Sequence, residues 1–224
     1  MAKTDKGYRG ISMEGALARW YATNTAKDPA RFEKQIDDVR RLAPTGGKVL
    51  EVAPGPGYLS IAMARTGDYT VTGLDISETF VRIAREKAAA AGVAVDFRHG
   101  NASAMPFDDE SFDFIVCCAA FKNFSDPVGA VQEMHRVLRP GGYALINDLR
   151  KDVSKEAVAA DVAQMEVGAL SRVFIRYTLR SFLPRRAYLK SEFEGLVART
   201  DFRTCEIRQS PLSLDVELRK RTGE

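Results

Sequence analysis

The chain lacks the features that mark membrane, secreted and metal-bound proteins. Its longest uninterrupted apolar run, Phe114 to Phe121, has eight residues, against about 20 for a helix that crosses a bilayer. The opening residues, Met1-Ala-Lys-Thr-Asp-Lys-Gly, carry no apolar core of the kind a secretory signal needs. Only three cysteines are present, Cys117, Cys118 and Cys205, without zinc-ligand spacing. Cys117 and Cys118 are adjacent, and on a strand they point to opposite faces. These absences predict a soluble, cytoplasmic protein with reduced thiols and no metal site. Charge of either sign is also in small surplus: 33 Lys and Arg against 30 Asp and Glu leave +3. That is too little to mark a nucleic-acid binder, and neither nucleic acid nor membrane is expected as a partner. There is no internal repeat and no low-complexity tract.

What is present is an alternation of short apolar runs and helical patterns. Asp28-Pro29 reads as a cap and first turn for a helix with Phe32, Ile36, Val39 and Leu42 on one face. Residues 48–53 predict a first strand, 58–66 a helix, 69–75 a second strand and 78–91 a helix that starts on Ser77 and stops at Gly92. Residues 93–98 and 112–118 predict a third and a fourth strand. A helix from Asp126-Pro127 to about Arg139 follows, and Pro140-Gly141-Gly142 reads as a turn into a fifth strand at 143–148. Strands alternating with helices of this length predict βαβ units and a parallel sheet, with ligand at the carboxyl ends of the strands. Beyond residue 150 the pattern predicts helices near 155–170 and 190–200. Two late runs, 203–209 and 212–219, separated by Ser210-Pro211, are expected to pair as an antiparallel hairpin.

The most informative local feature is Glu51-Val-Ala-Pro-Gly55-Pro-Gly57, a glycine turn between a strand and a helix. Glycines there let backbone approach a ligand, and the helix start offers unpaired N–H groups. Nicotinamide, flavin and S-adenosylmethionine folds all use such a turn, as do ordinary strand-to-helix connections. The dinucleotide fingerprint requires a small third residue, and that register places Ser60 after Gly55 and Gly57. Glu51, ahead of the turn, suits a cationic amino-acid group better than a pyrophosphate. Asp75 ends the second strand, where a carboxylate accepts two ribose hydroxyls; both cofactor classes share that feature.

The ordered set of motifs resembles the class I S-adenosylmethionine-dependent methyltransferases. Glu51 to Gly57 is similar to their first motif and Leu74-Asp75-Ile76-Ser77 to the second. Gly100-Asn101-Ala102 with Met105-Pro106-Phe107, then Ser111-Phe112-Asp113, then Val137 to Gly142 resemble the later ones. The likeness spans about 48–148 and is nearest to small-molecule enzymes related to quinone biosynthesis. It implies a Rossmann-like, mostly parallel seven-stranded sheet with helices on both faces, an antiparallel terminal hairpin and helical lids. It implies S-adenosylmethionine as methyl donor, with S-adenosylhomocysteine as product. Gly55 and Gly57 are then expected to meet the methionine part, Asp75 the ribose and Ile76 the adenine face. Asn101 would face the adenine amino group, the Ala102 N–H adenine N1, and Cys118 with Ala119 would lie beneath the sulfonium. Glu51, Ala53, Tyr58 and Tyr21 complete the expected cofactor set. Two positions depart from the family: Ala53 replaces its first glycine, tolerable only if φ is negative there, and Asn101 replaces an aspartate.

The acceptor side is less marked. Many relatives carry a histidine shortly after the fourth strand; here the segment is Ala119-Ala-Phe121-Lys122-Asn123-Phe124. Lys122 reads as a solvated loop lysine, and Phe121 and Asn123 as pocket-lining residues. His99 and His135 are poorly placed as bases. Asp148 at the end of the fifth strand, with Asn123, is the candidate catalytic pair. Residues 171–221 carry +6 and the rest of the chain −3. Within that basic stretch Arg176, Tyr177 and Arg180 are candidates for binding an anionic small acceptor. The N-terminal segment, with Tyr8, Arg19, Trp20 and Tyr21, is expected to lie over the cofactor, although Trp20 and Tyr21 equally suit a core.

These readings predict one methyltransferase domain. Residues 1–43 would be lid helices, 44–148 the cofactor core, 149–190 a lid insertion and 191–224 a terminal helix and hairpin. Oligomeric state, monomer or homodimer, is left open. The competing readings are a non-catalytic S-adenosylmethionine-binding or regulatory protein and an NAD-dependent oxidoreductase; a Tyr-x-x-x-Lys pair, which would favour the latter, is absent.

Overall fold

The computed structural model describes residues 7–9, 13–24, 32–164 and 183–223. Seven strands form one sheet in the order β3-β2-β1-β4-β5-β7-β6. They are β1 (Lys48–Val52), β2 (Thr70–Asp75), β3 (Asp96–His99), β4 (Phe112–Cys118), β5 (Leu138–Leu149), β6 (Glu206–Gln209) and β7 (Ser213–Arg219). β1 to β5 pair in parallel, and β7 runs antiparallel to both β5 and β6. The order reverses between β1 and β4, so their carboxyl ends open a crevice at the topological switch point.

The helices follow from their caps and apolar faces. They are α1 (Gly15–Asn24), α2 (Glu33–Leu42), α3 (Tyr58–Arg65), α4 (Glu78–Ala90), α5 (Pro127–Val137), α6 (Lys155–Gln164) and α7 (Lys190–Val197). The Ser77 hydroxyl accepts the Phe80 N–H at 3.1 Å and starts α4; Gly92, at φ +67°, ends it. Asp126 accepts the Gly129 N–H at 2.9 Å, with Pro127 in the first turn of α5. Central strands alternate their buried residues between two layers. Leu50, Val52, Ile115, Cys117 and Ile146 pack with Met134 of α5 and Phe193, Leu196 and Val197 of α7. Val49, Phe114, Val116 and Leu145 pack with Val39 of α2 and Leu59 and Met63 of α3. Burial on both faces explains why these strands read as continuous apolar runs.

α2 therefore lies in the layer beside α3, and an ionic clamp ties it to the terminal hairpin. Lys34 pairs with Asp215 at 2.7 Å, Arg41 with Glu217 at 3.1 Å, and Arg208 with Asp38 and Glu217 at 3.6 Å. α1 packs Ala18 and Ala22 on Phe80 and Ile83 of α4.

Five expectations are corrected in detail. β3 begins at Asp96 and not at residue 93. α5 stops at Val137, and Pro140-Gly141-Gly142 is no separate turn but an irregularity inside β5, where the β4 register shifts between Phe112 and Phe114. Gly141 reaches φ +83° there, and Gly142 lies so close to Asp113 that a Cβ would come within 2.8 Å of its carbonyl. α7 ends at Val197, short of residue 200. β6 begins at Glu206, three residues later than expected. The helix expected at 155–170 is present as far as Gln164, and its remainder, like the Asp28-Pro29 cap, lies outside the described residues.

Candidate active site

The crevice is built from the turns that follow β1, β2, β4 and β5. At the first turn, the Ala53 N–H donates to the Leu74 carbonyl at 2.8 Å, continuing the β1–β2 pairing one residue further. The chain then turns through Gly55 at φ +55° and Gly57 at φ +80°. Gly57 has no room for a side chain: a Cβ would lie 2.7 Å from the Phe97 ring and 2.9 Å from Ala84. Ala53 contradicts the expected backbone. Its φ is +58°, not negative, so an L-residue occupies the conformation that the family fills with glycine. Left-handed alanine costs about 1–2 kcal/mol. Ala53→Gly should therefore raise stability by about 1 kcal/mol after the entropy of the added glycine is deducted. Urea unfolding reads that gain.

Two carboxylates face the turn from inside the fold. Asp75 is 5% exposed. One of its oxygens accepts the Gly55 N–H at 2.9 Å and the other the Ser77 N–H at 2.8 Å. Burial raises its pKa to about 6 against the pull of those two N–H groups. Glu51 is buried on the α3 face of β1, and the Ser60 hydroxyl donates to it. Burial raises its pKa to about 7; Ser60 opposes the shift and Asp75 adds to it. Ser60 was no candidate, yet its place in the first turn of α3, nine residues after the acid, supplies this bond. Two buried acids with raised pKa values and few internal partners suit a ligand that brings hydroxyl donors and a positive charge.

The side expected to take adenosine is less open than the motifs imply. Ile76 follows Asp75, and its carbonyl lies 3.1 Å from His99 Nε2. The Asn101 side-chain oxygen, expected to face an adenine amino group, accepts the Ser103 N–H and hydroxyl, both at 3.0 Å. Its amide nitrogen lies beside Gly7, where a Cβ would sit 2.9 Å from it and 2.3 Å from Ile76 Cδ1. Ala102 is half-buried against the α5 layer. Tyr8 is half-buried next to Gly7; burial pushes its phenol up, Arg186 opposes, and nearby Asp75 adds. Tyr21 of α1 meets Phe80 edge to face at 5.9 Å. Trp20, one turn position away, is 58% exposed and no core residue. The Tyr58 ring stacks on Phe32, and its hydroxyl donates to the Ala22 carbonyl, tying α3 to α1.

The acceptor side brings the largest departures. Cys118 is half-buried at the end of β4, opposite Asn147. Burial pushes its thiol pKa up, reinforced by Glu51 and Asp148. Ala119 follows at φ +56°, a second left-handed alanine. Lys122 is not a solvated lysine: it is 4% exposed. Its ammonium bonds to Asp148 at 2.7 Å and also donates to the Ala119 carbonyl, while its N–H donates to the other Asp148 oxygen at 2.8 Å. Asp148 is equally buried and also accepts the Leu149 N–H. Phe121, expected to line a pocket, is wholly buried between Phe124, Phe193 and Tyr188. The short 3-10 turn Phe121–Asn123 winds it inward. Asn123 is half-buried, and its carbonyl accepts the Arg9 N–H at 2.6 Å. His135 packs on Phe202. Arg176, Tyr177 and Arg180 lie outside the described residues. Gly7, Arg9, Arg186 and Tyr188 were not candidates; the first two precede every motif, and only the fold brings them here.

Known proteins share this fold and part of this sequence. Residues 50–146 match the family model of a methyltransferase domain. Over 99 residues the chain is 41% identical to a demethylmenaquinone methyltransferase from Chlorobaculum tepidum, covering 44% of this chain and 39% of the relative. It is 38% identical over 102 residues to one from Staphylococcus epidermidis, covering 45% and 42%. The matches thus span less than half the length of these relatives. Among solved structures, a protein from Methanococcus maripaludis superposes with a TM-score of 0.73 at 21% identity, covering 96% of this chain and 97% of that one. An S-adenosylmethionine-dependent methyltransferase from Aquifex aeolicus superposes at 0.61 and 19% identity, covering 86% and 98%.

Proposed function

We propose that this chain, which has the fold of the class I S-adenosylmethionine-dependent methyltransferases and carries their domain at residues 50–146, moves a methyl group from S-adenosylmethionine to a small organic acceptor. The observation that carries the proposal is the Gly55 N–H bonded to Asp75. It joins the glycine turn and the ribose-type carboxylate into one cradle at the switch point of the sheet.

In this reading S-adenosylmethionine supplies a methyl group already activated on sulfur. The protein's work is then alignment and desolvation. Asp75 accepts ribose hydroxyls on the lone pairs that Gly55 and Ser77 leave free. Glu51 supplies negative charge toward the methionine ammonium. Gly55 and Gly57 admit the backbone to close range. Ile76 forms the apolar floor for adenine, and Asn101 turns its amide N–H₂ toward the ring. Cys118 and Ala119 set the floor beneath the transferring carbon. With the cofactor bound, the apolar floor of Cys118 and Ala119 would favour a transition state in which the sulfonium charge is reduced.

The acceptor of this proposal is a small, quinol-like or phenolic molecule that ionises without help. Asp148 was the candidate base, but both its oxygens are engaged by Lys122. Arg9 and Arg186 stand on the same side, with the Arg186 guanidinium donating to the Arg9 carbonyl at 3.0 Å, and both suit an anion. Arg176, Tyr177 and Arg180 remain candidates for the same role. Calorimetry with S-adenosylhomocysteine tests the first half: absence of binding ends the proposal. Transfer of labelled methyl from S-adenosylmethionine to short-chain naphthoquinols and hydroxybenzoates tests the second. Binding without transfer to any of them would favour a non-catalytic cofactor-binding protein, the reading that the engaged Asp148 supports.

A further inference from the structure

The buried pair Lys122–Asp148 sits where an acceptor-side base would stand, and the one residue of the proposed site that it touches is Ala119, at its backbone carbonyl. Its contacts run to backbone. Lys122 holds the Ala119 carbonyl, and Asp148 holds the Lys122 N–H, so the 3-10 turn Phe121–Asn123 is fixed on the end of β5. Ala119 is held in its left-handed conformation by this bond and by its own N–H, which donates to the Asn147 carbonyl at 2.7 Å.

The same turn carries the N-terminal strap. The Arg9 N–H donates to the Asn123 carbonyl at 2.6 Å, and Tyr8 bridges Phe124 in antiparallel fashion. The Ser125 N–H reaches the Gly7 carbonyl at 3.5 Å, and the Arg9 guanidinium donates to the Ser125 carbonyl at 3.2 Å. At its other end the strap lies on Ile76 and Asn101. Gly7 is buried there at φ +64°, with no space for a Cβ. A continuous set of contacts thus leads from Asp148 through Lys122, Asn123 and Phe124 to the adenosine side of the crevice.

We infer that Lys122 and Asp148 are positioning residues: a buried latch that holds the turn carrying the N-terminal strap, so that Gly7 and Tyr8 form the outer wall of the adenosine pocket. The inference rests on the proposed cofactor binding and assigns to the pair a role in affinity for the adenosine part, at a distance from it. Loss of the latch frees the strap, and the wall is lost with it.

The test is calorimetric titration of S-adenosylhomocysteine into the wild-type chain and five variants: Asp148→Asn, Lys122→Met, Gly7→Val, Asp148→Asn with Gly7→Val, and Lys122→Met with Asp148→Leu. Each single variant should weaken binding about tenfold, within the range of coupling between contacting groups. The Asp148→Asn and Gly7→Val pair should lose no more than the worse single variant, because one wall is lost once. Removing both charges leaves no lone buried ion, so the Lys122→Met and Asp148→Leu chain should regain its melting temperature. Its affinity should stay low. Recovery of affinity together with stability would mean that the pair is merely structural, and the latch would be wrong. Additive losses, or unchanged affinity in the single variants, overturn it as well. A wild-type chain that does not bind the probe overturns the methyltransferase reading and the latch with it. A binding wild type with unaffected variants overturns the latch alone.

Discussion

Replacing Asp75 with alanine should weaken S-adenosylhomocysteine binding at least 100-fold and leave an intact fold. A hydrogen bond to a charged group contributes about 1.5–3 kcal/mol, and the carboxylate is placed to accept two ribose hydroxyls. Their loss alone corresponds to factors on the order of 10² to 10⁴. The variant also strips the Gly55 and Ser77 N–H groups of their shared acceptor, which loosens the glycine turn that the proposal sets against the methionine part. Asp75→Asn is the milder change. It keeps the shape and one acceptor oxygen but sets its amide nitrogen against the Gly55 or the Ser77 N–H, so a loss of at least about tenfold is expected, one ribose hydrogen bond plus a disturbed turn. Calorimetry gives both affinities, and circular dichroism shows whether the sheet survives. Equal and small losses in the two variants would mean that Asp75 holds the turn and not the ligand.

How much of this site was readable in the sequence depends on how far apart its parts lie along the chain. α4 was legible because its cap, its apolar face and its stop are all local: Ser77, the helix after it and Gly92. The place of β4 was legible for the same reason, being the longest apolar run in the chain, entered from Ser111-Phe112-Asp113. The places of Asp75 and of the Gly55–Gly57 turn were legible because both lie directly at strand ends. The burial of Lys122 was not, because it depends on an aspartate 26 residues later, on the neighbouring strand. Phe121 was misplaced with it, since a turn that buries one of these residues at the end of β5 buries the other against α7. The left-handed φ of Ala53 was hidden for another reason. Alanine gives no local sign of that conformation, and only the fixed path from β1 into the glycine turn imposes it.

Glu51→Gln should make the ligand-free protein more stable at pH 8 and a poorer binder, and the two effects should respond oppositely to pH. In the folded chain the Glu51 pKa stands at about 7, against 4.5 for the free group, because burial penalises the charged form. A raised carboxylate pKa means that the folded state holds its proton more tightly than the unfolded one. The contribution of Glu51 to stability is thus fully present below pH 4.5 and is lost as pH rises through about 7. Asp75, raised to about 6, acts in the same direction one unit lower. The ligand-free wild type should therefore melt at higher temperature at pH 5.5 than at pH 8. Ligand binding runs the other way. A cationic ammonium favours ionised Glu51, so affinity for S-adenosylhomocysteine should rise through pH 7 and then level. Glutamine cannot ionise, and it keeps an oxygen to accept from the Ser60 hydroxyl. Removing the buried charge should recover roughly 1–3 kcal/mol at pH 8. Denaturant unfolding at pH 8 and pH 5.5 should show the full gain at the higher pH and roughly half of it at the lower, one unit above the unfolded pKa. Titrations at the same two values should show weaker binding and a pH dependence that retains only the Asp75 step near 6. A buried acid that lowers resting stability is then explained by the positive charge it is placed to meet. Should Glu51→Gln bind as tightly as the wild type at pH 8, the ammonium does not lie against Glu51, and the acid belongs to the core of β1 and α3 alone.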